Sequence, residues 1–186
     1  FGLYNQEDHK VKVIYVPCLL DGNDGIFNMS YYDLLAGLDL TVFASYYEPW
    51  GYTPLESVAF GVPTITTDKA GFGLWVMKES KKSDSISNGV AVINRTDFNF
   101  DEVASRIENE VVAFSKMKDA DVAKASEKAK AFADKASWNN FISFYVEAYD
   151  KALANGAKKT AAKKAPSAKP VTETAEKPKR RCCSKK

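Results

Sequence analysis

The sequence predicts an α/β fold built on a Rossmann-like parallel sheet. Short apolar runs rich in β-branched residues occur at residues 11–17, 40–44, 63–67 and 89–93, and the stretches between them carry helix start and stop signals. After Asp97 the apolar residues recur with helical periodicity instead. Strands that alternate with helices favour parallel pairing and right-handed crossovers, as in doubly wound sheets.

Two strands and one helix are predicted before residue 45. Residues 11–17 (Val-Lys-Val-Ile-Tyr-Val-Pro) predict a strand that stops at its proline, with Cys18 in the same apolar context. Ser30 is a good helix cap and Gly37 a common terminator, which predicts a helix over residues 30–37. The run at residues 40–44 then has the length of a buried strand.

A helix start follows this strand. Thr53 suits the N-cap, Pro54 suits the first helical position and Glu56 lies three residues after the cap, so the helix is expected to begin at Pro54 and to end before Gly61. Ligands bind at the carboxyl ends of parallel strands, and a helix N-terminus there offers free N–H groups and a positive dipole end. The stretch is therefore a natural seat for a diphosphate.

Two carboxylates flank this seat, Glu48 in the loop and Glu56 on the first helical turn. A carboxylate among aromatic side chains such as Trp50 is an unusual placement, which favours a functional role for Glu48. The alternatives are a solvated loop acid for Glu48, and for Glu56 a capping box in which its side chain accepts from the N–H of Thr53.

Farther along, residues 70–73 (Ala-Gly-Phe-Gly) predict a glycine-flexible loop able to approach a ligand. Residues 98–155 predict helices whose apolar stripes form core. The stripe positions are Val103, Ile107, Val111 and Phe114, then Val122, Ala125, Ala129 and Phe132, and finally Trp138, Phe141, Ile142, Tyr145, Tyr149 and Leu153.

Composition and periodicity divide the chain into a Rossmann-like sheet region at residues 1–97, helices at 98–155 and a tail at 156–186. The last 32 residues carry 11 Lys and Arg against 2 Glu, whereas the preceding 154 carry 15 basic and 22 acidic residues. The tail is rich in Ala, Lys, Pro, Thr and Ser, so we expect it to be disordered. It could contact polyanions weakly, or it could serve only solubility.

Several chemistries are excluded or disfavoured. His9 is the only histidine, so a catalytic triad or a histidine metal site would have to rest on it alone. Neither a Gly-x-Gly-x-x-Gly motif after a strand nor a P-loop motif occurs. Cys18, Cys182 and Cys183 form no disulfide or metal framework, and no apolar run approaches the roughly 20 residues of a membrane span. A cytoplasmic protein is expected.

Residues 45–56 (Ser-Tyr-Tyr-Glu-Pro-Trp-Gly-Tyr-Thr-Pro-Leu-Glu), 61–67 (Gly-Val-Pro-Thr-Ile-Thr-Thr) and 71–73 (Gly-Phe-Gly) resemble the donor-binding region of glycogen synthases. The resemblance is to the branch of the glycogen synthases that contains the fungal and animal enzymes and related bacterial members. The resemblance implies a retaining GT-B glycosyltransferase that transfers glucose from UDP-glucose or ADP-glucose to the non-reducing end of an α-1,4-glucan, without metal or other cofactor.

The resemblance also implies roles for residues around the sugar. Glu48 is similar to the acid beside the donor glucose, which holds its hydroxyls and stabilises positive charge as the glycosidic bond breaks. Trp50 and Gly51 would shape the sugar pocket. The chain begins with Phe1, so we expect a piece of a longer protein whose upstream acceptor domain is missing, and the piece alone should be inactive.

The same resemblance implies which residues bind the nucleotide part of the donor. The backbone at Tyr52 and Thr53 would meet the diphosphate, Glu56 would accept hydrogen bonds from the ribose hydroxyls, and Tyr31 would stack on the base. For Tyr31 the alternative is ordinary helix packing.

One departure from the family pattern and two rival interpretations complete these expectations. Fungal and animal members carry an arginine-rich helix that senses glucose 6-phosphate, whereas residues 101–118 contain only Arg106, which predicts no such activation and a bacterial member. The full-length protein is expected to be a homo-oligomer. The rivals are another GT-B transferase, such as a sucrose- or trehalose-forming one, and a non-catalytic nucleotide-sugar-binding interaction protein.

Overall fold

The computed structural model describes residues 4–164, and the side chains up to residue 159. In chain order the elements are α1 (Tyr31–Leu35), β1 (Thr41–Phe43), α2 (Tyr52–Ala59), β2 (Thr64–Thr67), α3 (Gly71–Glu79), a 3₁₀ helix (Ile86–Asn88), β3 (Val90–Ile93), α4 (Phe100–Ser115), α5 (Asp119–Lys135) and α6 (Trp138–Lys164).

The three strands form one parallel sheet in the order β1-β2-β3. Thr41 pairs with Thr64, which in turn pairs with Val90, so the strands begin in step and end at the same edge. Each crossover contains a helix, as is usual between parallel strands. The predicted α/β class with a parallel sheet is confirmed.

Both faces of the sheet are covered by helices. Successive strand residues point to opposite faces, and β3 accordingly sends Val90 to one apolar cluster and Ala91 to another. The first cluster is built by α2, α3 and α5 and the second mainly by the 3₁₀ helix and α4. Their buried members are Val58, Phe72, Val76, Val90, Ala129 and Phe132 for the first, and Ile65, Ile86, Ala91, Ile93 and Val103 for the second.

The predicted strand at residues 11–17 is wrong. These residues form no ladder, and Val11, Ile14 and Cys18 are exposed. β-Branched residues favour a strand only where a neighbouring strand supplies hydrogen bonds and cross-strand packing. Within the described residues the sheet has three strands, and this segment pairs with none of them.

The predicted flexible loop at residues 70–73 is also wrong, because Gly71 to Gly73 form the first turn of α3. The glycines are needed for close packing instead. A Cβ atom on Gly71 would lie 2.3 Å from the carbonyl oxygen of Pro49, and one on Gly73 would lie 2.2 Å from that of Thr67. Helix α3 can therefore pack directly against the loop after β1 and the end of β2.

The predicted apolar stripes are only partly core. Val103, Ala125, Ala129 and Phe132 are buried, but Val111 and the predicted core positions of α6 from Ile142 onward are exposed. A stripe is buried only where another element covers it. The chain up to Asn140 forms one compact unit, and α6 from Phe141 belongs to a second one, within which the rings of Tyr145 and Tyr149 lie 6.5 Å apart.

The predicted disordered tail begins too early. Helix α6 continues to Lys164, because the Ala- and Lys-rich sequence at residues 156–164 has high helix propensity. The rest of the predicted tail, residues 165–186 with both of its cysteines, lies outside the described residues. No helix in the described part of the chain is both long and apolar enough to cross a membrane.

We predict that Phe72→Ala destabilises the protein by about 3–5 kcal/mol, because it removes a fully buried ring and leaves a cavity in the first apolar cluster. The free energy of unfolding from urea titration measures this. Phe98→Ala is the matched control, since Phe98 is 96% exposed and its loss should change the stability by less than about 0.5 kcal/mol. Equal effects of the two substitutions would contradict the described core.

Candidate functional site

The candidate site lies at the carboxyl edge of the sheet, where the loop after β1 meets the connection from β2 to α3. The N–H of Glu48 donates to the carbonyl of Lys69 at 3.0 Å, and the N–H of Gly71 donates to the carbonyl of Glu48 at 3.1 Å. These two bonds form a parallel bridge between Glu48 and Ala70. The backbone at Glu48 is therefore held from both sides.

The Glu48 side chain is half-buried in this loop. Its Oε2 accepts a hydrogen bond from Ser45 Oγ at 3.2 Å. A Cβ atom on Gly51 would lie 3.5 Å from the same Oε2, so the carboxylate lies beside the residue that starts α2. The negative charge thus stands next to a helix N-terminus, where the dipole stabilises it.

The start of α2 differs from the prediction. Gly51, not Thr53, is the N-cap, and the helix begins at Tyr52. Gly51 has a φ of +106°, which a side chain would disfavour, and a Cβ there would also lie 3.3 Å from that of Phe72. The capping box with Thr53 as N-cap is wrong, because Thr53 lies inside the first turn.

The first turn of α2 offers backbone donors. Amides of the first helical turn have no acceptor within the helix, and Pro54 has no N–H, which leaves Tyr52 and Thr53 as the donors there. The side chains of both residues are exposed. These N–H groups and the positive end of the dipole suit an anionic ligand such as a phosphate.

Trp50 belongs to an aromatic cluster beneath the loop. Its ring lies 6.1 Å from Phe72 in an edge-to-face arrangement and 6.1 Å from Trp75. Trp75 in turn contacts Phe132 of α5 at 6.2 Å. The ring thus fixes the loop to the first apolar cluster, and its predicted contact with a sugar stays a prediction.

The structure brings Tyr31 and Glu56 together, with Tyr32 between them. Tyr32 Oη donates to Glu56 Oε1 at 2.9 Å, and its ring stacks on Phe60 with centroids 5.7 Å apart. The ring of Tyr31 lies 5.4 Å from that of Tyr32 at an angle of 60°. Sequence reasoning missed Tyr32, although two successive tyrosines at a helix start could have pointed to it.

The pKa values of both tyrosines are raised, and Glu56 contributes to each shift. The hydrogen bond to its carboxylate, followed by its negative charge, raises the pKa of Tyr32. Burial, and then the same charge, raises the pKa of Tyr31. Both hydroxyls are therefore neutral at pH 7.

Sequence reasoning also missed Arg95, which lies two residues after the end of β3. The guanidinium lies over the ring of Tyr46, with its Cζ 3.3 Å from the centroid, and its Nη1 donates to the carbonyl of Ala44 at 2.9 Å. The backbone N–H of Arg95 donates to Asp68 Oδ1 at 2.9 Å. The position of an arginine just past the last strand was the available signal.

Over residues 4–164, no group of three or more His, Cys, Asp and Glu side chains is arranged to hold a metal ion. The site consists of backbone amides, two carboxylates and aromatic rings.

These features define an α/β domain with a candidate anion site at the carboxyl edge of its sheet. The glycogen synthase family model matches residues 1–183, and the chain belongs to that family. The predicted family and fold are thereby confirmed.

Individual relatives agree with this assignment. The chain is 30% identical over 151 residues to glycogen (starch) synthase of Neurospora crassa, which covers 81% of this chain and 21% of that protein. It is 31% identical over 154 residues to glycogen (starch) synthase isoform 2 of Saccharomyces cerevisiae, and the match covers 83% of this chain and 22% of that protein. It is 39% identical over 94 residues to the liver glycogen (starch) synthase of Mus musculus, and the match covers 50% of this chain and 13% of that protein.

The chain thus spans about a fifth of the length of the fungal relatives it matches. These relatives are fungal and mammalian, and they give no support to the prediction of a bacterial member.

We predict that Glu56→Gln lowers the pKa of Tyr32 toward the ordinary tyrosine value, because the charged hydrogen-bond acceptor is removed. In the unchanged protein the bond is fully present below the ordinary tyrosine pKa, and it is lost as pH rises through the raised value. NMR titration of ¹³Cζ-labelled tyrosines measures this shift. Glu79→Gln, whose carboxylate pairs with Lys135, is the control and should leave the Tyr32 titration unchanged.

Proposed function

We propose that this chain is the donor-binding part of a retaining glycosyltransferase of the GT-B type. The enzyme would transfer glucose from UDP-glucose or ADP-glucose to the non-reducing end of an α-1,4-glucan, as a step of glycogen synthesis. The observation that carries the proposal is the start of α2 at the sheet edge, with Glu48 beside its N-cap Gly51 and with Glu56, on the same helix, bonded to Tyr32 next to Tyr31. Membership of the glycogen synthase family supports the reaction.

In this proposal the donor diphosphate binds the N–H groups of Tyr52 and Thr53. The two amides point out of the first turn of a helix whose N-cap, Gly51, carries no side chain. The leaving diphosphate gains negative charge as the glycosidic bond breaks, so donors held in place beforehand stabilise the transition state more than the ground state. The remaining positive charge would come from parts of the protein outside this chain.

Glu48 would act on the sugar. A glucosyl transition state carries positive charge at and around its anomeric carbon, and a fixed carboxylate nearby lowers its energy. The bond from Ser45 and the two backbone bonds at Glu48 hold that carboxylate in place before the donor arrives. Trp50 and Gly51 would form the wall of the same pocket.

Glu56 and Tyr31 would bind the nucleoside. A carboxylate can accept about four hydrogen bonds, so Glu56 can receive the ribose hydroxyls while it keeps the bond from Tyr32. Tyr31 is half-buried beside this group, and its ring is proposed to stack on the base.

The partners and location follow from the same proposal. The glucan acceptor would bind a second domain, supplied by the larger part of the relatives' length that this chain does not span. We also propose a homo-oligomeric, cytoplasmic full-length enzyme that uses no cofactor. Offering radiolabelled UDP-glucose and ADP-glucose with glycogen to the full-length protein tests the reaction, and no label transfer from either donor would refute it.

We predict that Glu48→Gln in the full-length protein lowers kcat by at least about a hundredfold, because the transition-state charge loses its carboxylate. Folding should be intact, since the side chain lies in a loop and is only half-buried. Steady-state kinetics with saturating donor measure kcat, and circular dichroism checks the fold. Near-normal turnover would contradict a role for Glu48 in the reaction. Glu79→Gln is the control and should leave kcat unchanged.

We predict that Glu56→Gln weakens donor binding about tenfold, which corresponds to one charge-assisted hydrogen bond of about 1.5 kcal/mol. Isothermal titration with the donor nucleotide measures the Kd directly. The value of kcat should change less than the Kd, because the ribose contact is the same in the ground and transition states. An unaltered Kd would contradict the proposed contact between Glu56 and the ribose.

A further inference from the structure

We propose that Arg95 is a positioning residue for Glu48, and that it acts through Ser45. The inference rests on the proposed function, in which the Glu48 carboxylate faces the donor sugar. Arg95 itself touches no part of the proposed donor site. Its effect would be to fix the loop that carries the carboxylate.

Arg95 is an unusual residue for its surroundings. Only 5% of it is exposed, although a buried guanidinium normally pairs with a carboxylate. Within residues 4–164 it forms no ion pair, and its buried Nε has no hydrogen-bond partner. A buried charge that is so incompletely satisfied is costly, which favours a role beyond packing.

The contacts of the guanidinium are with the two residues that flank Ser45. Nη1 donates to the carbonyl of Ala44 at 2.9 Å, and the planar group stacks on the ring of Tyr46 with Cζ 3.3 Å from the centroid. A lysine could not make both contacts at once, because it lacks a planar fork with several donors. Arg95 thus holds the chain before and after Ser45.

Ser45 passes this restraint to the carboxylate. Its Oγ donates to Glu48 Oε2 at 3.2 Å, and its own carbonyl accepts from Thr67 Oγ1 at 2.7 Å. The position of Ser45 therefore sets where Oε2 lies. If Arg95 is lost, the residues on both sides of Ser45 become freer and the bond to Glu48 loosens.

Arg95 can act this way because it is itself anchored. Its N–H donates to Asp68 Oδ1, while Asp68 Oδ2 accepts from Asn94 at 2.6 Å and from Lys69 at 3.2 Å. These bonds join the residues that follow β2 and β3. The guanidinium consequently reaches the loop after β1 from a fixed point.

The test uses the full-length enzyme with Arg95→Met and Arg95→Lys. Misplacement of a catalytic group by about 1 Å can cost up to a hundredfold in rate, so we expect kcat to fall by about 10- to 100-fold in both variants. The Kd of the donor nucleotide should change less than about threefold, because the amides of α2 and Glu56 are untouched. A loss of kcat equal to a loss of donor affinity, or no loss of kcat, would overturn the proposal.

Arg106→Met is the matched control. Arg106 pairs with Glu110 at 3.1 Å and donates to the carbonyl of Asp84, so it too links separate elements, but it lies on α4 and contacts none of the loop residues. We expect its loss to lower the melting temperature and leave kcat unchanged. If Arg106→Met reduces kcat as much as Arg95→Met does, the effect of Arg95 is general destabilisation and the proposal fails.

A double-variant cycle tests the route through Ser45. If Arg95 acts through Ser45, the variant that combines Ser45→Ala with Arg95→Met should lose no more kcat than the worse single variant. Losses that multiply would overturn the proposed route. Tyr46→Leu, which removes the stacked ring and leaves Arg95 in place, gives the same test should Arg95→Met fail to fold.

The Glu48→Gln variant separates the two proposals. If that variant loses turnover while the Arg95 and Tyr46 variants keep theirs, only the positioning role of Arg95 is refuted. If Glu48→Gln turns over normally, the proposed function of Glu48 fails, and the positioning role fails with it.

Discussion

Parallel pairing of the three strands is the constraint on which the site depends. Because β1, β2 and β3 run in one direction, the residues that follow them, Ala44, Asp68 and Arg95, meet at one edge of the sheet. There Arg95 bonds to both of the others. Helices on both faces keep the strands in this register through two apolar clusters. The loop that carries Glu48 is thus fixed to the sheet edge by hydrogen bonds. A carboxylate held in this way is preorganised to stabilise charge that develops near it.

Two features make that edge the candidate binding site. The left-handed conformation of Gly51 lets α2 begin immediately after the loop, so the amides of its first turn open beside the Glu48 carboxylate. Glu56 lies on the same helix, and Tyr32 links it to Tyr31 through a hydrogen bond and a ring contact. Backbone amides with one acid before them and one after them in the chain suit the proposed donor, which has a sugar at one end of a diphosphate and a nucleoside at the other. Family membership and the geometry of the site therefore support the same reaction.

The sequence predicted what local rules determine and missed what distant contacts determine. Strands β1, β2 and β3 and helices α1, α4 and α5 follow from periodicity and capping residues. The N-cap of α2 was misplaced because Gly51 is set by packing against Phe72 of α3. The segment at residues 11–17 has strand composition but no neighbouring strand in the described chain. The stacking of Arg95 on Tyr46 joins residues far apart in sequence, which no short motif reveals.

A crystal structure of the full-length protein with its donor nucleotide sugar bound would test this interpretation most directly. The diphosphate should lie on the N–H groups of Tyr52 and Thr53, with the hexose beside Glu48 and the ribose within hydrogen-bonding distance of Glu56. A donor bound at another place, with the start of α2 empty, would contradict the assignment of the site.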